Sequence, residues 1–243
     1  MADLDWLIAR PVAHRGLHDQ KSVIENTPSA FAAAIAGRYG IECDLQISAD
    51  GEAMVHHDDA LGRLTEGSGR LDATTAAELK RVAFKATGDR MITLGELCDF
   101  VAGRATLVIE LKSRFGGDRR LVSRVASVLS GYRGGAAVMS FDPAQIADLR
   151  AIAPALPRGM VAEKQRWGEV AAAPKRAITT FAQVLSARPQ FLAYAVRDLP
   201  ALLPTIARGI FRLPLLAWTV RSVDDRRKAA RYADQMIFEG FRP

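Results

Sequence analysis

What most constrains this chain is a rhythm. Eight short apolar or β-branched runs recur along it: RPVAHRG, GIECDLQIS, ATLVIELKS, AAVMSF, RGMVAE, QFLAYAV, LLAWTV and DQMIFEG. Helix-start signals and alanine-rich stretches separate them. Strands alternating with helices imply a parallel sheet, because each helical crossover returns the chain to the same end of the sheet. At 243 residues, eight such units close most economically into an α/β fold of the (β/α)8 barrel type. A doubly wound open sheet is the alternative, but no Gly-rich GxGxxG turn follows the first strand.

Local signals place the elements. In NTPSAFAAAIAG, Thr27 can cap a helix, Pro28 suits its first position, and Gly37 or Gly40 can end it. GEAMVHH extends or follows the second strand. Thr75 with Glu78 and Thr93 with Glu96 have capping-box spacing, so helices are predicted to begin near each. Asp142-Pro143 opens another. There is no low-complexity segment and no short repeat.

Composition sets limits on function. The chain is 49% hydrophobic and 25% charged, as ordinary globular proteins are. Cys43 and Cys98 are too few for a disulfide framework and read as packing residues. Asp3 and Asp5 stand where a signal peptide would be basic, and no apolar run reaches ~18 residues, so the expected compartment is the cytoplasm. Charge is uneven: residues 1–150 carry 18 Lys and Arg against 20 Asp and Glu, and residues 151–243 carry 15 against 7. The basic half suits an anionic small molecule and permits membrane contact without indicating it. Basic residues are not interleaved with aromatics, so no nucleic acid is expected.

The four histidines, His14, His18, His56 and His57, all fall in the first quarter of the sequence. Histidine is the side chain that changes charge near neutral pH, so the clustering points to proton transfer. His14 ends the first strand and His57 ends AMVHHD; together they could flank one reacting group as acid and base. Taken singly, each reads more simply as a hydrogen-bonded structural histidine. If the strand runs on through both, His56 and His57 cannot share a face. Strand alternation puts Glu42 and Asp44 on one face with no cation between them, and Glu110 and Lys112 on one face of a later strand. Ordinary salt bridges would explain each carboxylate alone. Inside apolar strands, however, such charges need partners, and Glu42, Asp44 and Glu110 suit Mg²⁺ or Ca²⁺ as hard oxygen ligands. Arg15 and Lys112 offer positive charge to an anion.

In order, AHRG, ENTPSAFAAAIAG, IECDLQISADG, MVHHDDALGRLTEGSG, ITLGEL, LVIELK, MSFDPAQIADLRAIAP and LLAWTV resemble the glycerophosphodiester phosphodiesterases. The resemblance implies one barrel domain over residues 1–243 with a short insertion after the second strand, at approximately 58–105. It implies metal-dependent hydrolysis of a glycerophosphodiester to glycerol 3-phosphate and an alcohol, through a cyclic phosphate. Carried over, it makes His14 and His57 the acid–base pair and gives Glu42, Asp44 and Glu110 to the cation. It places Arg15, Lys112 and Trp218 at the substrate. His57 takes the histidine slot because it precedes Asp58, and Glu25 and Asn26 are expected to support the site. Where many members have Thr-Asp before a final proline, this chain has MIFEGFRP, a change expected to alter the alcohol pocket. Two other readings compete: a lysophospholipase D-like enzyme at a membrane, and a phosphate-ligand binding protein without catalysis. An amidohydrolase-like barrel is disfavoured, since no histidine follows His57 to supply ligands from late strands.

Overall fold

The computed structural model describes residues 4–165, 184 and 186–243. Among these residues nine strands are arranged in one sheet: β1 (Val12–Ala13), β2 (Gly40–Ile47), β3 (Ala53–Val55), β4 (Leu107–Leu111), β5 (Ala136–Ser140), β6 (Arg158–Ala162), β7 (Phe191–Ala195), β8 (Leu215–Val220) and β9 (Gln235–Phe238). Eight of them pair in parallel, and β1 bonds to both β2 and β9, which closes the barrel. β3 is the exception. It folds back antiparallel on the end of β2, pairing Val55 with Leu45, so GEAMVHH follows the second strand as a hairpin and does not extend it.

The helices begin where side chains can satisfy their free N–H groups. Thr27 caps α2 (Pro28–Ala36) by accepting from the Ala30 N–H, with Pro28 at a position that has no N–H to lose. Thr75 and Thr93 both form reciprocal capping boxes, opening α3 (Ala76–Leu79) and α4 (Leu94–Val101). α5 (Arg120–Leu129) follows β4, and Asp142 caps α6 (Pro143–Ile152) through the Ala144 N–H. α7 (Leu202–Gly209) and α8 (Val223–Tyr232) follow β7 and β8. The helical segment expected between the sixth and seventh strands lies largely outside the described residues.

Alternation divides each strand between two cores. Outward residues such as Ile41, Cys43, Leu45, Ile109 and Val138 pack beneath the helices in one cluster. Inward residues, Val12, Val108, Met139, Val161, Phe191 and Leu216 among them, fill the barrel. Leu4 and Leu7, flanking and within α1 (Asp5–Ile8), join that inner cluster. Gly159 makes room for it: a Cβ there would lie 2.4 Å from the Phe191 ring. Between β3 and β4, Leu71, Leu79, Phe84 and Met91 form a smaller core with Ile24 and Met54. Among the described residues no helix is long and apolar enough to cross a membrane.

Candidate active site at the barrel mouth

The inner rows turn from apolar to charged as they rise. Two residues after Val12 comes His14, two after Val108 comes Glu110, and β2 contributes Glu42 and Asp44. On β1 and β4 this change occurs at the C-terminal end of the strand, where the barrel opens, while Glu42 lies deeper, paired with Val108. Glu42 and Asp44 are 1% exposed and Glu110 is 8% exposed. They offer carboxylate oxygens that all lie within 4.8 Å of one another.

Three carboxylates so close cannot all ionise at no cost, and their pKa values diverge. Burial, then Asp44 and Glu110, push Glu42 well above the usual carboxylate range despite Arg15. Burial also raises Glu110, against the pull of Lys112. Burial works on Asp44 too, but Lys112 and Arg15 overcome it and hold it far below its ordinary value. Glu42 and Asp44 have no cation between them, as expected, but Asp44 is met by cations from elsewhere. Lys112 Nζ sits 2.7 Å from both Asp44 Oδ1 and Glu110 Oε1, and Arg15 Nε lies 3.2 Å from Asp44 Oδ2. Cations reach the cluster from β1 and β4, the neighbours of β2 in the sheet. Even so, three carboxylates face two cationic side chains, so the ionised cluster would keep a net negative charge. Convergent hard oxygen donors with that excess suit a divalent cation.

The turn after β1 is shaped around this cluster. Arg15, Gly16 and Asn26 all have positive φ, of 55°, 80° and 56°. The Arg15 N–H donates to Glu42 Oε2 at 2.9 Å, and its side chain donates to Glu25 Oε1 at 2.8 Å. Asn26 donates from Nδ2 to Asp44 Oδ2 and accepts from the Asp44 N–H, tying the ENT segment to β2. Glu25 also receives Gln20 and Arg63. Burial would raise it, but the Arg63 and Arg15 guanidiniums hold it down to about 2. Glu25 and Asn26 thus brace the site from behind.

His14 and His57 stand at this mouth. His14 Nε2 is 3.9 Å from Glu42 Oε2, and its Nδ1 is 2.6 Å from Glu239 Oε2. Burial lowers its pKa, opposed by the hydrogen bond to Glu239. His57 Nδ1 is 2.8 Å from Asp58 Oδ1, and Arg63 Nε is 2.5 Å from the other oxygen of Asp58. His57 lines a cleft with Asp58, Glu110, Lys112, Arg114 and Phe141. His56 turns away: its ring is buried beside Phe84, with centroids 6.5 Å apart. β3 ends at Val55, so the two histidines are free of strand alternation. His18 is in a loop yet buried, and neither ring nitrogen has a hydrogen-bond partner. Trp218 packs edge-on against Phe141 at 5.5 Å, and its buried indole N–H has no hydrogen-bond partner.

Sequence reasoning missed Glu239 and Arg63. It tied MIFEGFRP to the alcohol pocket, and did not foresee that β1–β9 pairing sets Glu239 against His14, 225 positions away. The only available signal was the carboxylate itself, at the end of the last strand.

Comparisons with known proteins bear on the family and the fold. A model of the Glycerophosphoryl diester phosphodiesterase family matches residues 14–240. A glycerophosphodiester phosphodiesterase of Caldanaerobacter subterraneus subsp. tengcongensis is 32% identical over 162 residues, which span 62% of this chain and 65% of that relative. An Oleispira antarctica phosphodiesterase, solved in complex with the product sn-glycerol-3-phosphate, superposes with a TM-score of 0.77 at 21% identity, covering 95% of this chain and 92% of that one. The glycerophosphodiester phosphodiesterase of Thermotoga maritima superposes with a TM-score of 0.72 at 24% identity, covering 94% of each chain. At such identities the two structures speak for the barrel fold.

Proposed function

This chain belongs to the glycerophosphoryl diester phosphodiesterase family, and from that premise we propose that it hydrolyses glycerophosphodiesters to glycerol 3-phosphate and an alcohol. One observation carries the reading. Two histidines, each with its Nδ1 on a carboxylate, stand beside a buried cluster of Glu42, Asp44 and Glu110 that also holds Arg15 and Lys112.

The chemistry follows from those groups. A phosphodiester is an anion that repels nucleophiles, and its in-line transition state concentrates charge on the phosphoryl oxygens. Arg15 and Lys112 are fixed positive charges beside the carboxylate cluster, and the buried indole N–H of Trp218 is a donor still to be satisfied. Glu42, Asp44 and Glu110 would hold Mg²⁺ or Ca²⁺, which supplies further positive charge for that transition state when bound. In the first step the glycerol 2-hydroxyl oxygen bonds to phosphorus while one histidine takes its proton at Nε2. The bond from phosphorus to the alcohol oxygen breaks, and that oxygen takes a proton from the other histidine. The product is a five-membered cyclic phosphate. Water then opens it with the two histidines in exchanged roles, so both return to their starting states.

The test is release of glycerol 3-phosphate from glycerophosphocholine and glycerophosphoethanolamine, with Mg²⁺, with Ca²⁺ and after chelation. Release is expected with a divalent cation and not with chelator. His14→Ala and His57→Ala should each lower turnover at least ~10²-fold while folding normally. A near-wild-type rate in either variant removes that histidine from the mechanism. Activity confined to lysolipid micelles would move the substrate to a membrane surface, and binding without turnover would sink the hydrolytic reading.

A further inference from the structure

Barrel closure brings the last strand against the first. β1 pairs with β9 in the register Val12 to Ile237 and Ala13 to Phe238, and the His14 N–H donates to the Phe238 carbonyl at 2.9 Å. The next residue, just past the end of β9, is Glu239, so its side chain starts level with the imidazole. Its Oε2 lies 2.6 Å from His14 Nδ1 and accepts from Arg221 at 2.9 Å, while its own N–H donates to the Val220 carbonyl at 3.0 Å. β8 and its following turn thus hold Glu239 by backbone and by side chain. The carboxylate is 18% exposed. Burial works to raise its pKa, but the bonds from His14 and Arg221 hold it down to about 2.

An ionised carboxylate only accepts hydrogen bonds, so the proton of a neutral His14 must sit on Nδ1. The lone pair is then on Nε2, the nitrogen that faces Glu42. Free imidazole side chains in water favour the opposite tautomer, with Nε2 blocked by its own proton. Because a reaction at the mouth can use only Nε2, the partner on Nδ1 decides whether the ring can accept a proton at all. His57 has the same construction in Asp58 and Arg63, built locally from adjacent residues instead of across the barrel seam.

We propose that Glu239 is the positioning residue of His14, fixing its orientation and its Nδ1–H tautomer, with Arg221 clamping Glu239 from the turn after β8. The inference rests on the hydrolytic reading for its effect on rate, but not for its effect on the tautomer. On rate, Glu239→Gln should lower kcat on glycerophosphocholine by about 10–100-fold with KM changed less than about threefold. Glu239→Asp should keep more activity than Glu239→Gln, although glutamine matches the native shape better. Simple packing would give the reverse order, and that order, or an unchanged kcat in Glu239→Gln, overturns the proposal.

The tautomer is read independently by long-range proton–nitrogen NMR on protein labelled with ¹⁵N-histidine, with His14 assigned from the signal lost in His14→Ala. The wild type should show Nδ1–H, and Glu239→Leu, its fold checked by circular dichroism, should shift a measurable share to Nε2–H. Should that variant fail to fold, Glu239→Gln and the wild-type tautomer carry the test. Nε2–H in the wild type, or the same tautomer in both proteins, overturns the proposal. If the wild type hydrolyses no glycerophosphodiester, the functional reading fails, and the NMR result alone still decides the role of Glu239.

Discussion

Glu42 and Asp44 are two positions apart on one strand and equally buried, yet their pKa values move in opposite directions. The difference is in who reaches them. Asp44 has Lys112 at 2.7 Å and Arg15 at 3.2 Å, while Glu42 receives the Arg15 backbone N–H and has His14 Nε2 at 3.9 Å. Taking a charge out of water without a close counter-ion is costly, and Glu42 bears most of that cost in the cluster. This gives opposite expectations with and without metal. Under chelation, Glu42→Gln should melt at or above the wild-type temperature, because glutamine is neutral without the proton that the buried Glu42 must take up. With saturating Mg²⁺ or Ca²⁺ the wild type should rise by about 5–10 °C, the shift given by roughly 100-fold excess over Kd in a chain of this size. Glu42→Gln should lose most of that rise. Thermal melts in the two conditions check it; equal cation-induced shifts in the two proteins would remove Glu42 from the cation site. Much at this scale was legible in the sequence. The E-x-D and E-x-K alternation marked the carboxylates, and Asp58 singled out His57. The cations on Asp44 were not, because local spacing says nothing about which strands become neighbours.

The elements show the same division between what neighbours in sequence specify and what closure adds. Caps, strand alternation and the prolines at helix starts act within a few residues, and Thr27, Thr75, Thr93 and Asp142 all cap the helices that the sequence assigns to them. The contact of Glu239 with His14 needs the first and last strands to meet, so no short window contains it. The turn after β1 lies between these cases. Its glycine was visible, but its reason is tertiary: Gly16 has φ of 80°, and a Cβ there would come within 2.9 Å of the Ala30 backbone. Gly16→Ala should therefore strain the backbone and push against α2, costing roughly 1–3 kcal/mol in urea unfolding. The turn also carries Arg15, whose N–H meets Glu42 and whose carbonyl accepts from the Asn26 N–H at 2.8 Å. Activity in this variant should thus fall by more than the loss of folded protein explains, as measured on the folded fraction. A stability within ~0.5 kcal/mol of wild type would show that the turn and α2 yield easily.

Across the whole molecule, Glu25 joins parts that no single element connects. Its carboxylate binds Arg15 from the turn after β1 and Arg63 from the segment between β3 and β4, the segment whose core also takes in Ile24 and Met54. Barrel, turn and β3–β4 segment thus share one buried anion, 2% exposed at its side chain. The sign of its pH dependence follows from its pKa, which falls to about 2 in the fold against about 4.3 in an unfolded chain. A depressed carboxylate contributes stability that is fully present above the unfolded value and is lost as pH falls toward the folded one. The unfolded chain binds the proton first, so acid favours it. Between pH ~5 and ~2 this single group should remove on the order of 3 kcal/mol, lessened where Arg63 remains in contact with water. Glu25→Gln should be less stable than wild type at pH 7, and its stability should fall less steeply over that acid window. The two curves should converge as pH approaches the folded pKa. Urea unfolding at a series of pH values measures the slope directly. If the wild type and Glu25→Gln run parallel from neutral pH into acid, the carboxylate is not what couples the β3–β4 segment to the barrel, and the apolar packing of that segment with Ile24 and Met54 must bear the coupling instead.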